Sequence, residues 1–332
     1  MNLTFYNNKL LRHPERLSDY LRGKEIVPLT LDIDLTNRCN CKCPECVGMR
    51  QSKTETLKLT NVIPLLYEAK KLGVQSIVFT GGGEPTLHPS FNTILSTAKE
   101  DCGLETAVVT NGLLLSDRSD MVMAIVKYCT WVRISVDAGD KEMYKLTHGV
   151  DQYDKVILGL KTLADEKKHQ NSDITIGAAF LTGEETIDGI DACCRDVEAA
   201  GANYFYLRPF LGDTTVVDID RYRNGHNNGH FEVIGAKAYK HLEDTRKSYS
   251  RCGFGWWVSV VMADGTVTWC CRTRCNPRYT LGNIYEENLE TILKRRKDIK
   301  VYFNDCAVLC RGDEVNKFLD GSRKKVMHEA FL

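Results

Sequence analysis

The sequence predicts an α/β fold of parallel strands joined to a smaller cysteine-rich domain. Six apolar segments of strand type alternate with amphipathic helical segments between residues 30 and 208. Such alternation is typical of parallel strands with right-handed crossovers, in either an open sheet or a barrel. After residue 250 the pattern changes to a hairpin and several cysteines. We therefore expect an N-terminal extension (1–29), a strand–helix domain (30–250) and a cysteine-rich domain (251–332).

The strand–helix units follow one another along the chain. Short runs rich in β-branched residues predict strands, and apolar residues spaced three and four apart predict helices. The predicted strands are Thr30–Leu35, Ser76–Thr80, Glu105–Thr110, Trp131–Val136, Ile174–Phe180 and Tyr204–Arg208. The predicted helices are Asn61–Leu72, Phe91–Asp101, Asp120–Cys129, Tyr153–Lys168 and Thr186–Ala200.

The chain beyond the sixth strand has a different character. Pro209–His230 is rich in turn-forming residues, which predicts a surface loop, and a helix is expected over Phe231–Ser250. Trp257–Val261 and Thr266–Cys270 flank an Asp-Gly turn and predict a hairpin. A short helix near Leu289–Lys297 is expected close to the end of the chain.

Composition and charge argue against several classes of protein. Of the 332 residues, 43% are hydrophobic and 27% are charged, so a large core can form. Lys plus Arg and Asp plus Glu number 44 each, and this balance argues against a nucleic-acid partner. The chain has neither an apolar run of the roughly 18–20 residues that span a bilayer nor a secretory signal. We therefore expect a cytoplasmic protein with no membrane partner.

The 14 cysteines are concentrated in two regions of the chain. In a reducing cytosol, short cysteine spacings favour metal binding over disulfides. Cys39, Cys43 and Cys46 form a C-x3-C-x2-C motif directly after the first predicted strand. Iron–sulfur clusters normally have four cysteine ligands, so three would leave one iron open to a small molecule. A zinc site with a fourth ligand from Cys41 or elsewhere is the alternative.

Polar motifs also follow the other predicted strands. They are Thr80–Thr86 with its three glycines, Thr110–Gly112, the pair Ser135 and Asp137, and Arg208. The carboxyl ends of parallel strands meet at one rim, where α/β proteins build their sites. Glycines let the backbone approach a ligand, and a neighbouring carboxylate can bind an ammonium group. The sequence therefore predicts a ligand site at this rim.

Together these motifs resemble those of the radical S-adenosylmethionine (SAM) superfamily, over about residues 30–210. The resemblance implies a partial (β/α)6 barrel, similar to a TIM barrel. It also implies a [4Fe–4S] cluster on Cys39, Cys43 and Cys46, whose fourth iron takes the amino and carboxylate groups of SAM. The family usually has an aromatic residue before the third cysteine, where this chain has Glu45. Packing for the adenine must therefore come from elsewhere.

The resemblance also assigns residues to SAM. The turn after the second strand would bind the methionine ammonium group, the end of the fourth strand would face the ribose, and the sixth strand would reach the carboxylate. In that order the residues are Gly82, Gly83 and Glu84, then Ser135 and Asp137, then Arg208.

The C-terminal cysteines resemble the SPASM/twitch extension of the same superfamily. A C-x12-G-x4-C arrangement places two cysteines at opposite ends of the predicted hairpin, whose turn brings them side by side. The resemblance implies one auxiliary [4Fe–4S] cluster in the shorter twitch form. Its ligands would be Cys252, Cys270, Cys306 and Cys310. Cys271 or Cys275 is the alternative in place of one of the last two.

The resemblance implies reductive cleavage of SAM to a 5′-deoxyadenosyl radical that abstracts hydrogen from a substrate. It implies an electron donor such as flavodoxin or ferredoxin. Many peptide-modifying members carry a separate peptide-recognition domain, for which 29 residues before the first strand are too few. We therefore expect a small polar substrate, such as a carbohydrate, an aminocyclitol or an antibiotic precursor. The alternative is a maturase or epimerase of a ribosomally made peptide, and a non-catalytic zinc protein is a distant one.

The reaction outcome depends on the fate of the substrate radical. Oxidation through the auxiliary cluster would give dehydrogenation, whereas hydrogen returned from a thiol to the opposite face would give epimerisation. Cys193 and Cys194 on the fifth predicted helix are candidate hydrogen donors, together with Cys129 and a spare Cys271 or Cys275. The alternative for each is packing as a small buried hydrophobe.

Overall fold

The structure is a computed structural model that describes residues 7–46, 52–210, 213, 215–235, 247–303 and 310–324. Within them, ten strands form a single sheet. The strands are β1 (Thr30–Asp34), β2 (Ser76–Thr80), β3 (Glu105–Thr110), β4 (Trp131–Ser135), β5 (Thr175–Thr182), β6 (Tyr204–Pro209), β7 (Glu232–Gly235), β8 (Val258–Val261), β9 (Thr266–Thr268) and β10 (Thr280–Asn283). Their spatial order is β10-β9-β8-β1-β2-β3-β4-β5-β6-β7.

The described residues also form ten α-helices. They are α1 (Pro14–Leu21), α2 (Leu59–Leu72), α3 (Phe91–Ser96), α4 (Ser119–Tyr128), α5 (Lys141–His148), α6 (Tyr153–His169), α7 (Ile190–Ala199), α8 (Ile219–His226), α9 (Leu289–Lys294) and α10 (Asp313–Gly321). The strands β1 to β7 are all parallel, each paired with the next. This confirms the predicted α/β fold. None of the described helices has the length and apolar character to cross a membrane.

Alternate residues of the strands face two different environments. Leu31 and Ile33 of β1 belong to the apolar core beneath the helices. Asp32 and Asp34 point to the opposite, interior face, because successive strand residues point to opposite sides. By the same alternation the interior face includes Ser76 and Thr80 of β2, Arg133 and Ser135 of β4, and Tyr206 and Arg208 of β6. One face therefore stabilises the fold, and the other is polar.

The predicted C-terminal hairpin is confirmed, and it continues the barrel sheet. β8 pairs with β1 in parallel, with Val258 opposite Thr30 and Val261 opposite Ile33. β9 and β10 follow in antiparallel order. Gly265 adopts a φ of 84° in the turn between β8 and β9, a conformation that glycine adopts without strain. The cysteine-rich region and the barrel therefore share one sheet.

Two predictions beyond the sixth strand are wrong. The predicted surface loop Pro209–His230 contains helix α8, whose first turn is capped by the carboxylate of Asp218. The predicted helix Phe231–Ser250 begins with strand β7 instead, and residues 236–246 lie outside the described residues. β7 forms because its backbone pairs with β6 and Val233 becomes buried, contacts that are distant in sequence.

Two ion pairs join the C-terminal region to the interior face of β1. Arg274 donates from Nε and Nη2 to the two carboxylate oxygens of Asp34, both at 2.8 Å, and Asp34 is fully buried. Arg311 pairs with Asp32, the other inward carboxylate of β1. A two-pronged Arg–carboxylate pair fixes both distance and orientation. The pairs therefore hold the segments next to Cys275 and Cys310 against the barrel.

We expect Asp34→Asn to lower the free energy of unfolding by about 3–5 kcal/mol, because it leaves the Arg274 guanidinium buried without a countercharge. Asp120→Asn is the matched control: Arg118 binds Asp120 with the same two-pronged geometry, but both side chains are half exposed. Its expected cost is about 0–1 kcal/mol. Urea unfolding followed by circular dichroism measures both, and equal losses would contradict the structural role of the Asp34 pair.

Candidate active site

The cysteine loop that leaves β1 is hydrogen-bonded to the glycine turn that leaves β2. The amide of Gly83 donates to the carbonyl of Thr36 at 2.9 Å, and the amide of Glu84 donates to the carbonyl of Arg38 at 2.8 Å. A Cβ on Gly83 would lie 2.1 Å from the Arg38 carbonyl oxygen, so any side chain there would separate the two loops. Gly82 lies buried in the same turn. Two motifs predicted from separate strands are thus in direct contact.

The thiols of this loop lie close together. Cys41 shares hydrogen bonds with the thiols of Cys39 and Cys43, and these bonds lower the pKa of Cys39 to about 7 and also lower the pKa of Cys43. The Nδ2 of Asn111 lies 3.3 Å from the sulfur of Cys41 and 3.9 Å from that of Cys39. Cys46 closes the loop, its amide donating to the carbonyl of Cys43 at 3.3 Å. The roles of these cysteines as ligands stay predictions.

The far side of the cysteine loop rests on the end of α5. The amide of Lys42 donates to the carbonyl of His148 at 2.8 Å. Gly149 follows with a φ of 67°, and a Cβ there would lie 2.6 Å from the Lys42 carbonyl oxygen. The loop is therefore held between the glycine turn and α5.

Glu84 is buried, and its carboxylate accepts hydrogen bonds from four donors of the protein. The donors are the amide of Thr86 at 3.1 Å, the hydroxyls of Thr86 and Thr110 at 2.6 Å each, and the amide of Asn111 at 2.7 Å. Asn111 in turn donates from Nδ2 to Asn40 of the cysteine loop at 2.6 Å. These contacts make Glu84 a positioning residue for three chain segments. Its binding to the methionine ammonium group stays a prediction.

Asp137 occupies a strained position at the end of β4. Its φ is 50°, a left-handed conformation that is uncommon outside glycine and is found at functional sites. One carboxylate oxygen accepts from the amide of Leu181 at 2.7 Å, and the other lies 3.8 Å from Nε2 of His148. Burial raises the pKa of Asp137 and lowers that of His148. The ring of His148 stacks on Tyr144 with centroids 4.1 Å apart.

Arg208 ends β6 on the interior face, near Asp137. Its Nε is shielded from solvent and has no hydrogen-bond partner among the described residues. Burial and the charge of Arg133 lower the pKa of Arg208, whereas the charge of Asp137 raises it. Ser135 lies two residues before Asp137 on the same interior face. The structure thus brings together predicted residues from β4 and β6, although their contacts with SAM stay predictions.

The C-terminal cysteines form a second group. Cys252, Cys270 and Cys310 are electrostatic neighbours of one another, and burial raises the pKa of Cys270 to about 12. Cys271 is a further neighbour of Cys270, so the alternative ligand set stays open. Cys306 lies outside the described residues. The structure therefore gathers three of the four predicted auxiliary ligands.

The sequence analysis missed two residues of α10 that hold this group. The amide oxygen of Asn316 accepts from the amides of Gly253 and Phe254 at 2.7 and 3.0 Å, and its Nδ2 lies 3.5 Å from the sulfur of Cys252. The carboxylate of Asp313 accepts from the amide of Cys310 at 2.9 Å. The acidic residue three positions after a cysteine was the available sequence signal. Nothing local distinguished Asn316.

Cys193 and Cys194, the candidate hydrogen donors, are fully buried in the apolar core that helices and strands share. Burial raises the pKa of both thiols. This placement matches the packing alternative and gives the hydrogen-donor prediction no support.

The cysteine groups fit iron–sulfur clusters better than single metal ions. In the described ranges, no set of three His, Cys, Asp or Glu side chains is arranged to hold a single metal ion. A [4Fe–4S] cluster binds each cysteine at a different iron, so its ligands do not converge on one point. Several thiols on one loop, with the amide group of Asn111 beside them, fit a cluster whose sulfurs accept hydrogen bonds.

Comparison with family models agrees with this arrangement. The Radical SAM superfamily model matches residues 33–192, and the SPASM model, described as an iron–sulfur cluster-binding domain, matches residues 252–313. The chain belongs to the radical SAM superfamily. As a radical SAM protein with a SPASM domain, it uses SAM and [4Fe–4S] clusters.

Two curated relatives of this radical SAM protein differ in how much of the chain they match. The antilisterial bacteriocin subtilosin biosynthesis protein AlbA of Bacillus subtilis is 26% identical over 278 residues, which are 80% of this chain and 59% of AlbA. GTP 3′,8-cyclase of Chlorobaculum tepidum is 31% identical over 133 residues, which are 40% of this chain and 39% of the cyclase. The chain thus spans less than two thirds of either relative.

Solved structures share the fold. SuiB of Streptococcus suis, bound to the precursor peptide SuiA, superimposes with a TM-score of 0.65 at 18% identity, over 86% of this chain and 69% of SuiB. Native anSMEcpe with bound AdoMet gives a TM-score of 0.60 at 17% identity, over 87% of this chain and 88% of that chain. These likenesses confirm the predicted fold class.

We expect Glu84→Gln to weaken SAM binding and to lower the free energy of unfolding by about 1–3 kcal/mol, because the new amide NH2 faces buried donors that need an acceptor. Glu45→Gln is the matched control, since Glu45 lies exposed in the neighbouring cysteine loop. Equilibrium dialysis with labelled SAM and urea unfolding measure the two effects. If both variants bind SAM equally well, Glu84 does not position the site.

We expect Asn316→Leu to reduce the iron held by the C-terminal cysteines, because it leaves the amides of Gly253 and Phe254 without an acceptor beside Cys252. Iron analysis in a Cys39→Ala/Cys43→Ala/Cys46→Ala background measures that cluster alone. Asn92→Leu on α3 is the control and should retain the iron. Equal iron in both variants would show that Asn316 does not support the cysteine group.

Proposed function

We propose that this chain is a radical SAM enzyme that modifies a peptide. The observation that carries the proposal is the match to AlbA, a protein of bacteriocin biosynthesis, over 80% of the chain. A match of that length has to include parts of both the barrel and the SPASM domain. The match to the GTP cyclase covers only 40% of the chain. Structures with the same fold were solved with peptides, namely SuiB with SuiA and anSMEcpe with the Cp18Cys peptide.

This proposal replaces the expected small polar substrate by the peptide alternative. The expectation of a small substrate depended on the short segment before β1, which is a weak criterion beside a match across most of the chain. Dehydrogenation and epimerisation are both compatible with the site, since Cys193 and Cys194 are packed in the core whereas Cys271 lies next to Arg274, which binds the inward Asp34.

In the proposed enzyme, Cys39, Cys43 and Cys46 hold the cluster that binds SAM. With SAM and an electron from a reductant, that cluster would supply the radical chemistry that abstracts hydrogen from the peptide. The protein fixes the geometry. Glu84 binds the glycine turn to the end of β3 through the amide of Asn111, and the side chain of Asn111 donates to Asn40 of the cysteine loop. The polar interior face of the barrel receives the reacting part of the peptide.

The ion pairs of Asp32 and Asp34 position the SPASM domain relative to the barrel in the proposed enzyme. They fix the segments next to Cys310 and Cys275 against the strand that leads into the cysteine loop. The auxiliary cluster would then stand at a constant distance from the barrel interior, as electron transfer from a substrate radical requires.

Anaerobic reconstitution tests the enzyme class. We expect about eight irons per chain, for two [4Fe–4S] clusters, and 5′-deoxyadenosine on addition of SAM and a reductant. Replacing Cys39, Cys43 and Cys46 by Ala should leave about half of the iron and abolish cleavage. Cys41→Ala is the matched control in the same loop and should keep both. Uptake of zinc without iron would contradict the proposal.

Deuterium transfer tests the substrate class. Peptides and sugars deuterated at their C–H positions are incubated with the reconstituted enzyme, and 5′-deoxyadenosine is analysed by mass spectrometry. Label from peptides supports the proposal. Label from sugars alone would restore the small-molecule alternative.

A further inference from the structure

We propose that Arg133, with Arg208 beside it, binds a carboxylate of the substrate inside the barrel. This inference rests on the proposed function, in which the substrate is a peptide. The carboxylate would belong to an acidic side chain or to the C-terminus of that peptide.

The two arginines stand on either side of β5, on the interior face. In the sheet register, Arg133 of β4 is opposite Gly177 of β5, and Arg208 of β6 is opposite Leu181. The inward residues of β5 at and above Arg133 include Gly177 and Ala179, and the ring of Tyr204 from β6 packs over Gly177. Both arginines are partly exposed, so their guanidinium groups reach space that a ligand can enter.

Aromatic rings hold the guanidinium group of Arg133 in place without neutralising it. The group lies 5.7 Å from the ring centroid of Trp131 and 5.6 Å from that of Tyr206. A guanidinium group packed between rings keeps its fork of N–H donors in a fixed plane. Such an ordered fork matches the two oxygens of a carboxylate.

Both guanidinium groups have a buried donor without an acceptor. The Nε atoms of Arg133 and Arg208 are shielded from solvent, and neither has a hydrogen-bond partner in the described part of the chain. Buried polar atoms in native proteins are nearly always paired. Two carboxylates account for these donors, that of SAM at Arg208 and that of the substrate at Arg133.

The local charges leave room for an anion. The charged groups that act on Arg208 are Arg133, Arg272 and Asp137, which makes three cations and one carboxylate. Asp32 and Asp34, the other inward carboxylates, are paired with Arg311 and Arg274. The SAM carboxylate, which the family resemblance assigns to Arg208, would pair with that guanidinium group. Arg133 then remains for the substrate.

A change at Arg133 tests substrate binding independently of SAM binding. It lies two residues before Ser135 on β4, deeper in the barrel than the rim residues Asp137 and Arg208. Its loss should therefore weaken binding of a substrate carboxylate and leave SAM binding unchanged.

Calorimetric titration of the reconstituted, SAM-saturated enzyme tests this assignment. The first probe, acetyl-Ala-Ala-Glu-Ala-Ala-amide, has a side-chain carboxylate only. The second has Gln in place of Glu and no carboxylate, and the third is this Gln peptide with a free C-terminal carboxylate. Glutarate is the fourth. We expect one of the two peptides with a carboxylate to bind about 10- to 100-fold more tightly than the Gln peptide that has none. The peptide that binds identifies the source of the carboxylate.

Variants complete the test. Arg133→Gln should abolish the preference for the carboxylate with unchanged SAM affinity and iron content, and Arg133→Lys should restore part of it, because lysine keeps the charge but not the fork. Arg118→Gln, an exposed arginine of a surface ion pair, is the matched control and should change nothing.

Four outcomes would overturn the assignment. They are equal affinity for all probes including glutarate, a preference that survives Arg133→Gln, a preference seen only when SAM is left out, and tighter Arg133-dependent binding of inorganic phosphate or GTP than of any carboxylate. Glutarate binding that depends on Arg133, with no peptide binding, would support the carboxylate site and overturn the peptide function instead.

Discussion

The buried carboxylate of Glu84 is the contact on which the arrangement of the site depends. A carboxylate removed from water has to be fully hydrogen-bonded, and the donors here come from the turn after β2 and from the end of β3. Asn111 extends this order to the cysteine loop after β1. One buried carboxyl group therefore sets the relative positions of three loops that contribute to one rim. The glycine turn completes the arrangement, because Gly83 lets two backbones approach closely.

The interior face of the sheet imposes a second constraint. Placing Asp32, Asp34, Arg133 and Arg208 inside a barrel costs solvation energy that a fold built for stability alone would avoid. Two of these charges are matched by arginines that come from the far end of the chain, so the same pairs neutralise the interior and attach the SPASM segment. The charges that are left unmatched stand near Asp137. Structural and ligand-binding roles are thus divided between the two sides of one face.

Much of the barrel could be predicted because its strands are local patterns. β2 and β3 have the predicted limits, and the buried strands are apolar runs between turn residues. The prediction for residues 209–235 failed because the local pattern is weak there. α8 consists mostly of polar residues, and β7 is a strand because its backbone pairs with the edge of β6. The role of Asn316 could not be predicted from the sequence either, because its partners Gly253 and Phe254 lie more than 60 residues away. Packing between distant segments decided each of these cases.

The sequence by itself determined the superfamily and its cofactors, because the spacing of Cys39, Cys43 and Cys46 and the motifs after each strand are short and contiguous. It also determined that the motifs share a rim, since parallel strands align their carboxyl ends. Only the tertiary structure decided what each side chain is engaged with. Glu84 binds the protein's own donors, Cys193 and Cys194 are packed in the core, and the Nε of Arg133 has no acceptor among the described residues. The reason is physical: hydrogen bonds and ion pairs depend on distances between atoms that the order of residues does not contain.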